Sequence, residues 1–318
     1  MVKNIFKRKN GEKFVEGNLL LIVVILMVFL SIATKNFLTA TNLKNLVRQT
    51  SVNGIIALGM TFVIITSGID LAVGSIVGLA SILSAKFMTA GMPIPFAILI
   101  CLVFCTLVGV VDGVVIQYGK VPAFIATLGM MQALRGVVML ISGARMIAGL
   151  PKSFTQFARA EILGLPSLFF IWLLVIILTW VITSKTVYGR GIYAYGSNLE
   201  AARLSGVSIP TVTISVYAIS GLLSGLAGIL MTSRLGNGIP TAGQSYEMDA
   251  IAATVVGGAS LNGGAGTILG TVLGALLIST IQNGGNLLGL NSFILQIIVG
   301  VLIVVSVWLD QQRKSQKK

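Results

Sequence analysis

The sequence predicts an all-α fold, a polytopic membrane helix bundle of about ten transmembrane helices. Only 10% of the 318 residues are charged, and the mean hydropathy is +0.97. A soluble domain of this size would need more charge on its surface, so a multi-spanning membrane protein is expected. The 37 glycines favour helices that approach one another closely.

Ten apolar runs are candidates for the membrane spans. They cover 18–34, 52–67, 71–90, 94–117, 121–142, 168–184, 211–233, 249–260, 264–282 and 293–309. The run 249–260 is shorter than the roughly 20 residues that cross a bilayer as a helix. Without it, nine spans would place the two basic tails, 1–17 and 310–318, on opposite faces. Basic residues concentrate in cytoplasmic segments, so an even count of ten is preferred.

This count predicts one transmembrane domain over 1–318, with the bundle at 18–309 and both termini in the cytoplasm. The first run is interpreted as an uncleaved helix rather than a signal peptide. The segments 35–51, 143–167 and 234–248 then lie outside, and the first two are long enough for short surface helices. The outer loop 240–249 is either a contact for an external binding protein or a solvated turn.

The blocks 52–142 and 211–309 each hold four apolar runs, and they enter the membrane from opposite faces. Each is expected to carry a glycine-rich break at or near the boundary between its second and third runs. This arrangement is typical of the inverted repeats of transporters.

The link between the blocks, 185–210, is polar and is predicted to be cytoplasmic. Ser197 and Glu200 have the spacing of a capping box, which predicts a short helix starting there. Gly206 falls where a left-handed C-terminal cap is expected. A capped surface helix between two spans indicates a docking element, although it could simply close a loop.

Several function classes are excluded by what the sequence lacks. The chain has no histidine and no G-x-x-x-x-G-K-[ST] loop; the glycine-rich run 257–264 lacks the lysine and reads as a turn. Cys101 and Cys105 share a helix face and are expected to pack there, with no metal site. The net charge of +13 lies mainly in the tails, so no nucleic-acid partner is predicted. We therefore expect a non-catalytic chain that binds no cofactor.

Polar residues inside apolar runs are candidates for a solute pathway or gate. Asp70 is the most costly of them, and it either caps the helix that follows or serves a gate. Amides and hydroxyls suit a neutral polyhydroxy solute, but they also form ordinary interhelical hydrogen bonds. Asp112 and Arg135 are predicted to lie at different depths and not to pair. The pathway or gate candidates are Asn53, Thr66, Ser67, Asp70, Ser75, Thr127, Gln132, Asn283 and Asn286.

Several stretches together resemble the permease subunits of bacterial sugar ABC importers, within the branched-chain amino acid and sugar permease superfamily. The stretches are QTSVN at 49–53, ALGMT at 57–61, SGIDLAVGS at 67–75, AFIATL at 123–128, YGR at 188–190, AARLSG at 201–206, PTAG at 240–243 and DAIAA at 249–253. Each is weak alone, but together they span about residues 40 to 310. The likeness is closest to members that carry ribose; others carry other pentoses, hexoses or autoinducer-2.

The resemblance implies a set of partners. These are a second permease chain, a cytoplasmic ABC ATPase that holds ATP and magnesium, a periplasmic or lipid-anchored sugar-binding protein, and the lipid of the inner membrane. It also implies that the short cytoplasmic helix docks on the ATPase. That coupling helix comprises Ser197, Asn198, Leu199, Glu200, Ala201, Ala202, Arg203, Leu204, Ser205 and Gly206.

Two other functions fit the same composition. A stand-alone secondary transporter or facilitator of a small neutral solute needs no ATPase, although the missing histidine and few acids leave little for proton coupling. A structural membrane protein would need no pathway. ATP hydrolysis that depends on this chain would separate the importer from the first, and solute uptake would separate it from the second.

Overall fold

The computed structural model describes residues 2–315, with thirteen α-helices and one small β-hairpin over that range. The helices are α1 Val2–Ala33, α2 Ala40–Ile65, α3 Val73–Thr89, α4 Ile94–Gln117, α5 Ala123–Ser142, α6 Lys152–Arg159, α7 Ser167–Lys185, α8 Val187–Ser197, α9 Leu199–Leu204, α10 Ile209–Leu235, α11 Tyr246–Val256, α12 Ile268–Leu287 and α13 Ser292–Ser315. The hairpin pairs β1 Glu161–Ile162 with β2 Leu165–Pro166. The predicted all-α bundle is confirmed.

Seven helices in the described chain are long and apolar enough to cross a membrane: α1, α2, α4, α5, α7, α10 and α12. Two more apolar helical stretches, α3 and the 292–308 part of α13, are shorter. Length and composition thus account for seven of the ten predicted crossings. The structure describes the backbone but not the side chains of most basic residues in the tails, so the predicted orientation of the termini rests on the sequence.

Helix α2 is the central element of the bundle, and every residue from Thr50 to Ile65 is buried. The predicted surface helix at 35–51 is wrong, because residues 40–51 are the first turns of α2 itself. Polar partners explain why this stretch can enter the bundle. The Thr39 hydroxyl accepts from the Asn42 amide of the first turn, and the Asn42 side chain exchanges two hydrogen bonds with Asn283 of α12.

The first helix of each four-helix block, α2 in one and α10 in the other, packs against helices of the other block. Helix α10 packs against α3 and α4 of the first block, whereas α2 packs against α11 and α12 of the second, and α2 and α10 also touch. The inverted repeat itself stays a prediction. Small residues permit the α4–α10 contact: a side chain on Gly109 would overlap the Tyr217 carbonyl, and one on Gly225 would press on Cys105. Cys101 and Cys105 are buried and free, as expected.

The long helix of each block ends in a non-helical segment. Residues 66–72 follow α2, and 236–245 follow α10. In the first block the break therefore lies between the first and second helices, near the predicted boundary between the second and third runs but not at it. In the second block the glycine-rich loop 257–267 between α11 and α12 lies where a break was expected.

The segment 236–245, predicted to be part of an outer loop, is non-helical, and the side of the membrane on which it lies stays a prediction. It runs along α3: a Cβ on Gly74 would overlap the Gly243 carbonyl, and one on Gly78 would lie 3.1 Å from the Ala242 carbonyl oxygen. Arg135 of α5 donates to the carbonyls of Pro240 and Ala242 at 3.2 and 3.0 Å. These partners satisfy backbone groups that a loop would otherwise need water to satisfy.

The bundle has two ends, which we name by their surface elements. The hairpin end carries α6 and β1–β2, and there Lys44 of α2 forms an ion pair with Glu161 at 2.6 Å. The α9 end carries α8 and α9. Helix α2 spans both ends, because Arg48 contacts the Arg159 carbonyl at one and Ile65 meets Gly196 at the other. The short surface helix expected within 143–167 is present as α6.

Candidate functional site

The polar link at the α9 end folds as two helices rather than one. Ser197 is the last residue of α8, and Asn198 caps α9 by accepting from the Ala201 amide at 2.9 Å. The predicted capping box of Ser197 and Glu200 is therefore wrong by one position. Asn is as good an N-cap as Ser, and here its backbone takes the extended conformation that a cap requires.

Gly206 ends α9 as expected. Its φ is +83°, in the left-handed region. The Gly206 amide donates to the Arg203 carbonyl, and the Val207 amide donates to the Ala202 carbonyl at 3.1 Å. This pair of bonds is a Schellman motif, which closes a helix end on a glycine. Helix α9 is thus fixed at both ends despite its six residues.

Helix α9 turns two apolar and two charged side chains outward. Leu204 is 84% exposed and Leu199 is 44% exposed, whereas Ala202 is buried against the protein. Glu200 and Arg203 form an ion pair at 2.9 Å, and both are about two-thirds exposed. An ion pair this exposed adds little stability. The outward surface of α9 is therefore a small amphipathic patch that contributes little to the stability of the fold.

Helix α8 fastens this patch to the bundle through three tyrosines. The Tyr188 and Tyr195 hydroxyls bond to Ser215 and Thr213 of α10, and the Tyr193 hydroxyl donates to the Gly266 carbonyl at 2.7 Å. Burial raises the pKa of the Tyr188 phenol, while its bond to Ser215 lowers it. A raised pKa keeps this phenol neutral at physiological pH, so it remains a hydrogen-bonding anchor.

The end of α8 meets two non-helical segments at one point. Gly196 lies so close to the Ile65 carbonyl that a Cβ there would overlap it, and the same Cβ would lie 2.6 Å from the Gly264 amide nitrogen. The Gly264 amide in turn donates to the Ile65 carbonyl at 2.8 Å. We call this contact of Ile65, Gly196 and Gly264 the junction. It joins α8 to the break after α2 and to the loop before α12.

Asp70 lies in that break, at 0% exposure. It does not cap α3, because the N-cap position is Ala72. Instead, its Oδ1 accepts from the Ala72 amide at 2.9 Å, and its Oδ2 accepts from the Ser220 hydroxyl of α10 at 2.7 Å. The first bond is a turn in which the carboxylate bonds to the backbone two residues on. The second ties the break to the other block.

The other pathway candidates separate into two groups. Around the break, Thr127 donates to the Ile69 carbonyl, Ser67 donates to the Asn262 carbonyl, and Thr66 bonds within its own helix. Ser75 joins α3 to α5 through the Met131 carbonyl. The structure brings this group together near Asp70. Their assignment to a pathway stays a prediction.

The remaining candidates lie apart from that group. Asn283 is paired with Asn42, Gln132 is exposed on α5, and Asn286 faces a cavity at the hairpin end. In the part of the chain that the structure describes, the buried amide of Asn53 has no hydrogen-bond partner. Asp112 and Arg135 do not pair, as expected: Arg135 binds backbone carbonyls, and one Asp112 oxygen lacks a partner within the described residues.

The cavity at the hairpin end has a volume of about 430 Å³. It lies between α2, the start of α11, α12 and α13. The lining residues include Gln49, Gln244, Tyr246, Asp249, Gln282, Asn286, Gln296 and Val299. Of these, only Asn286 was among the pathway candidates. The sequence signal for the others was weak, because Gln49 and Gln244 lie between the predicted apolar runs, and distant glutamines do not reveal that they meet.

Comparison with known proteins gives consistent matches over nearly the whole chain. Residues 42–307 match the family model described as branched-chain amino acid transport system / permease component. The chain is 43% identical to the ribose import permease protein RbsC of Bacillus subtilis, over 92% of this chain and 91% of that protein.

Two further relatives come from Escherichia coli. The chain is 42% identical to the ribose import permease protein RbsC over 94% of each chain. It is 34% identical to the xylose transport system permease protein XylH, over 92% of this chain and 91% of the relative. No solved structure matches the chain.

Proposed function

The chain belongs to the family of branched-chain amino acid transport system permease components, and on that premise we propose that it is the membrane permease subunit of an ABC importer. Its cargo is a monosaccharide, with ribose first, because relatives at 42–43% identity are ribose import permeases. The relative named for xylose is less similar, at 34%. The chain itself is non-catalytic and lies in the bacterial inner membrane, with both termini in the cytoplasm.

The observation that carries this proposal is the patch on α9. A helix of six residues, capped at both ends, presents two leucines and an ion pair to water while α8 anchors it. Short apolar and charged helix faces are typical of elements that enter a groove on a partner. The sequence holds no phosphate-binding loop, so ATP and magnesium belong to a partner ATPase that receives α9.

The junction supplies a route from that patch into the membrane. A displacement of α9 and α8 acts directly on Ile65 and Gly264, since Gly196 leaves no space between them. Ile65 is the last residue of α2, and Asp70 follows in the break. Domain movements are carried by packed elements that have two arrangements. In this proposal, ATP binding at the partner switches the break between two such arrangements.

The remaining partners complete the importer. A periplasmic or lipid-anchored sugar-binding protein delivers the sugar to the hairpin end, which is the outer face in this topology. A second copy of the permease completes the pathway, and membrane lipid surrounds both. The main alternative is a facilitator that works without an ATPase. The exposed leucines of α9 favour the importer, because a facilitator has no use for an apolar patch outside the membrane.

A charge reversal on α9 tests the docking. We expect Glu200→Lys combined with Arg203→Glu to leave the protein inserted but to uncouple it from the ATPase, since the pair can still attract while the outward charges are inverted. The caps at Asn198 and Gly206 are untouched. The helix dipole disfavours the swapped order by only about 0.3–1 kcal/mol per charge. The measurements are ribose uptake and co-purification of the ATPase.

The matched control keeps both signs: Glu200→Asp with Arg203→Lys should retain uptake and ATPase binding. Insertion is compared by the amount of full-length protein in the membrane. Normal ATPase binding and normal uptake in the charge-reversed variant would refute docking through this face.

A further inference from the structure

The cavity at the hairpin end has a chemistry that the coupling argument does not use. We propose that it is a receiving site for a neutral polyol, where the hydroxyls of a monosaccharide are held between delivery and passage. This inference rests on the proposed function and extends it to named residues. They are Gln49, Asp249 and Gln282, which we call the amide chain.

The amide chain is a continuous hydrogen-bonded line across three helices. The Gln49 side chain of α2 donates to the Gln282 carbonyl oxygen of α12 at 2.9 Å. The Gln282 amide nitrogen then donates to Asp249 Oδ2 of α11 at 2.8 Å. All three residues are partly buried and line the cavity. Their side chains are therefore held in place before any ligand arrives.

This line has hydrogen-bonding capacity to spare. A primary amide offers two donors and a carbonyl acceptor, and a carboxylate accepts at both oxygens. Within the described residues, Gln49 uses one donor and Gln282 uses one donor and its acceptor. Asp249 Oδ1 accepts from no described residue. Both donors and acceptors are thus available, which suits a sugar hydroxyl because it is both.

The lining also has apolar side chains. Leu295, Val299 and Ile303 of α13 line the cavity, together with Tyr246 and Met248 of α11. A monosaccharide has hydroxyls around its ring and C–H groups on its faces, so a lining with both polar and apolar side chains matches it. The volume of about 430 Å³ lies within the range of roughly 300–1,000 Å³ found for small-molecule pockets.

The charges of the lining disfavour an anionic ligand. The lining contains one carboxylate, Asp249, and no lysine or arginine among the described residues, so an anion would find no counter-charge. A metal ion is not favoured, because no group of three or more potential metal-binding side chains of His, Cys, Asp or Glu occurs in the described chain. Gln49 precedes Ile65 by 16 residues on α2, about 24 Å along the helix. The receiving site is thus remote from the junction.

Cysteine protection tests occupancy without ATP or delivery. Gln296→Cys places a thiol on the exposed part of the lining, while the native Cys101 and Cys105 are buried. In right-side-out inner-membrane vesicles containing the whole importer, a small charged methanethiosulfonate should modify this thiol. We expect ribose to slow the modification several-fold, and sodium chloride of equal osmolarity not to slow it. Adding Asp249→Ala and Gln282→Leu should remove the protection.

Uptake gives the second readout. Gln282→Leu should lower the maximal rate of ribose uptake about fivefold to tenfold, because one or two hydrogen bonds to the sugar are lost. The half-saturating concentration of loaded binding protein should stay unchanged, since the delivery contact is intact. Gln117→Leu at the C-terminal end of α4 makes the same chemical change away from both the cavity and the hairpin end, and it should keep the wild-type rate.

The outcomes separate the two ideas. The receiving site is overturned if ribose does not protect the thiol and Gln282→Leu takes up ribose at the wild-type rate. If the wild type still takes up ribose, the proposed function is unaffected. Protection by ribose without any ATP-driven uptake overturns the proposed function and supports the site. Protection that persists after Asp249→Ala and Gln282→Leu also overturns the site, because the thiol would then be sensing another location.

Discussion

Replacing Gly196 by alanine is expected to abolish ATP-driven uptake, the largest effect we predict for a single methyl group. The added Cβ would overlap the Ile65 carbonyl oxygen and lie 2.6 Å from the Gly264 amide nitrogen. Both neighbours are backbone atoms, so neither can rotate away. Overpacking of this kind costs about 1–3 kcal/mol and forces backbone shifts. The junction should open, and movement of α8 should no longer reach the break after α2.

Gly191→Ala is the matched control, because it makes the same change in the same helix. The nearest atom to its Cβ would be a Val207 methyl at 3.6 Å, an ordinary contact. Uptake, ATPase stimulation and thermal unfolding in detergent should be measured for both variants. Wild-type uptake by Gly196→Ala would show that the junction does not transmit movement. Loss of uptake by both variants would point to α8 in general.

Asp70→Ala is the second change with a large expected effect. It leaves the Ala72 amide and the Ser220 hydroxyl without their acceptor at a site of 0% exposure. Each unsatisfied buried donor costs about 1–3 kcal/mol, so we expect the free energy of unfolding to fall by about 2–5 kcal/mol. Denaturant unfolding in detergent measures this loss, and uptake should fall with it.

Asp70→Asn separates geometry from charge. Its carbonyl oxygen can still accept from the Ala72 amide, and its amide can donate to the Ser220 oxygen. We expect this variant to fold and to transport the same sugar, at a changed rate if Asp70 serves a gate. A changed choice of sugar at a normal rate would contradict that assignment. Stability of Asp70→Ala equal to the wild type would contradict the hydrogen-bond argument.

Hydropathy alone was sufficient for the fold class, because lipid-facing helices are apolar along their whole length. It failed where a helix continues into polar sequence. Residues 40–51 belong to α2 because Asn42 finds Asn283 and Gln49 finds Gln282, partners more than 200 residues away. Hydropathy also could not show that the loop 236–245 lies along α3, where Arg135 donates to the Pro240 and Ala242 carbonyls.

The candidate site likewise has parts that the local sequence predicts and parts that it does not. Local rules placed α9 and its left-handed glycine, since caps depend on neighbours in the chain. They missed Asn198 by one residue, because Ser197 and Asn198 are both good caps. The junction and the amide chain depend on contacts between distant segments, such as Gly196 with Ile65 or Gln282 with Gln49. No local pattern encodes these contacts.

The leucines of α9 also bear on how the transporter is assembled. Leu204 is 84% exposed and Leu199 is 44% exposed, on the face of α9 that we propose the ATPase covers. A permease made in excess of its ATPase would expose this apolar patch to the cytosol. Proteins with exposed apolar side chains are recognised there by chaperones and proteases. The ratio of permease to ATPase in the cell would then be set after synthesis, by degradation of permease copies that have no ATPase. Deleting the ATPase gene should therefore shorten the lifetime of this chain.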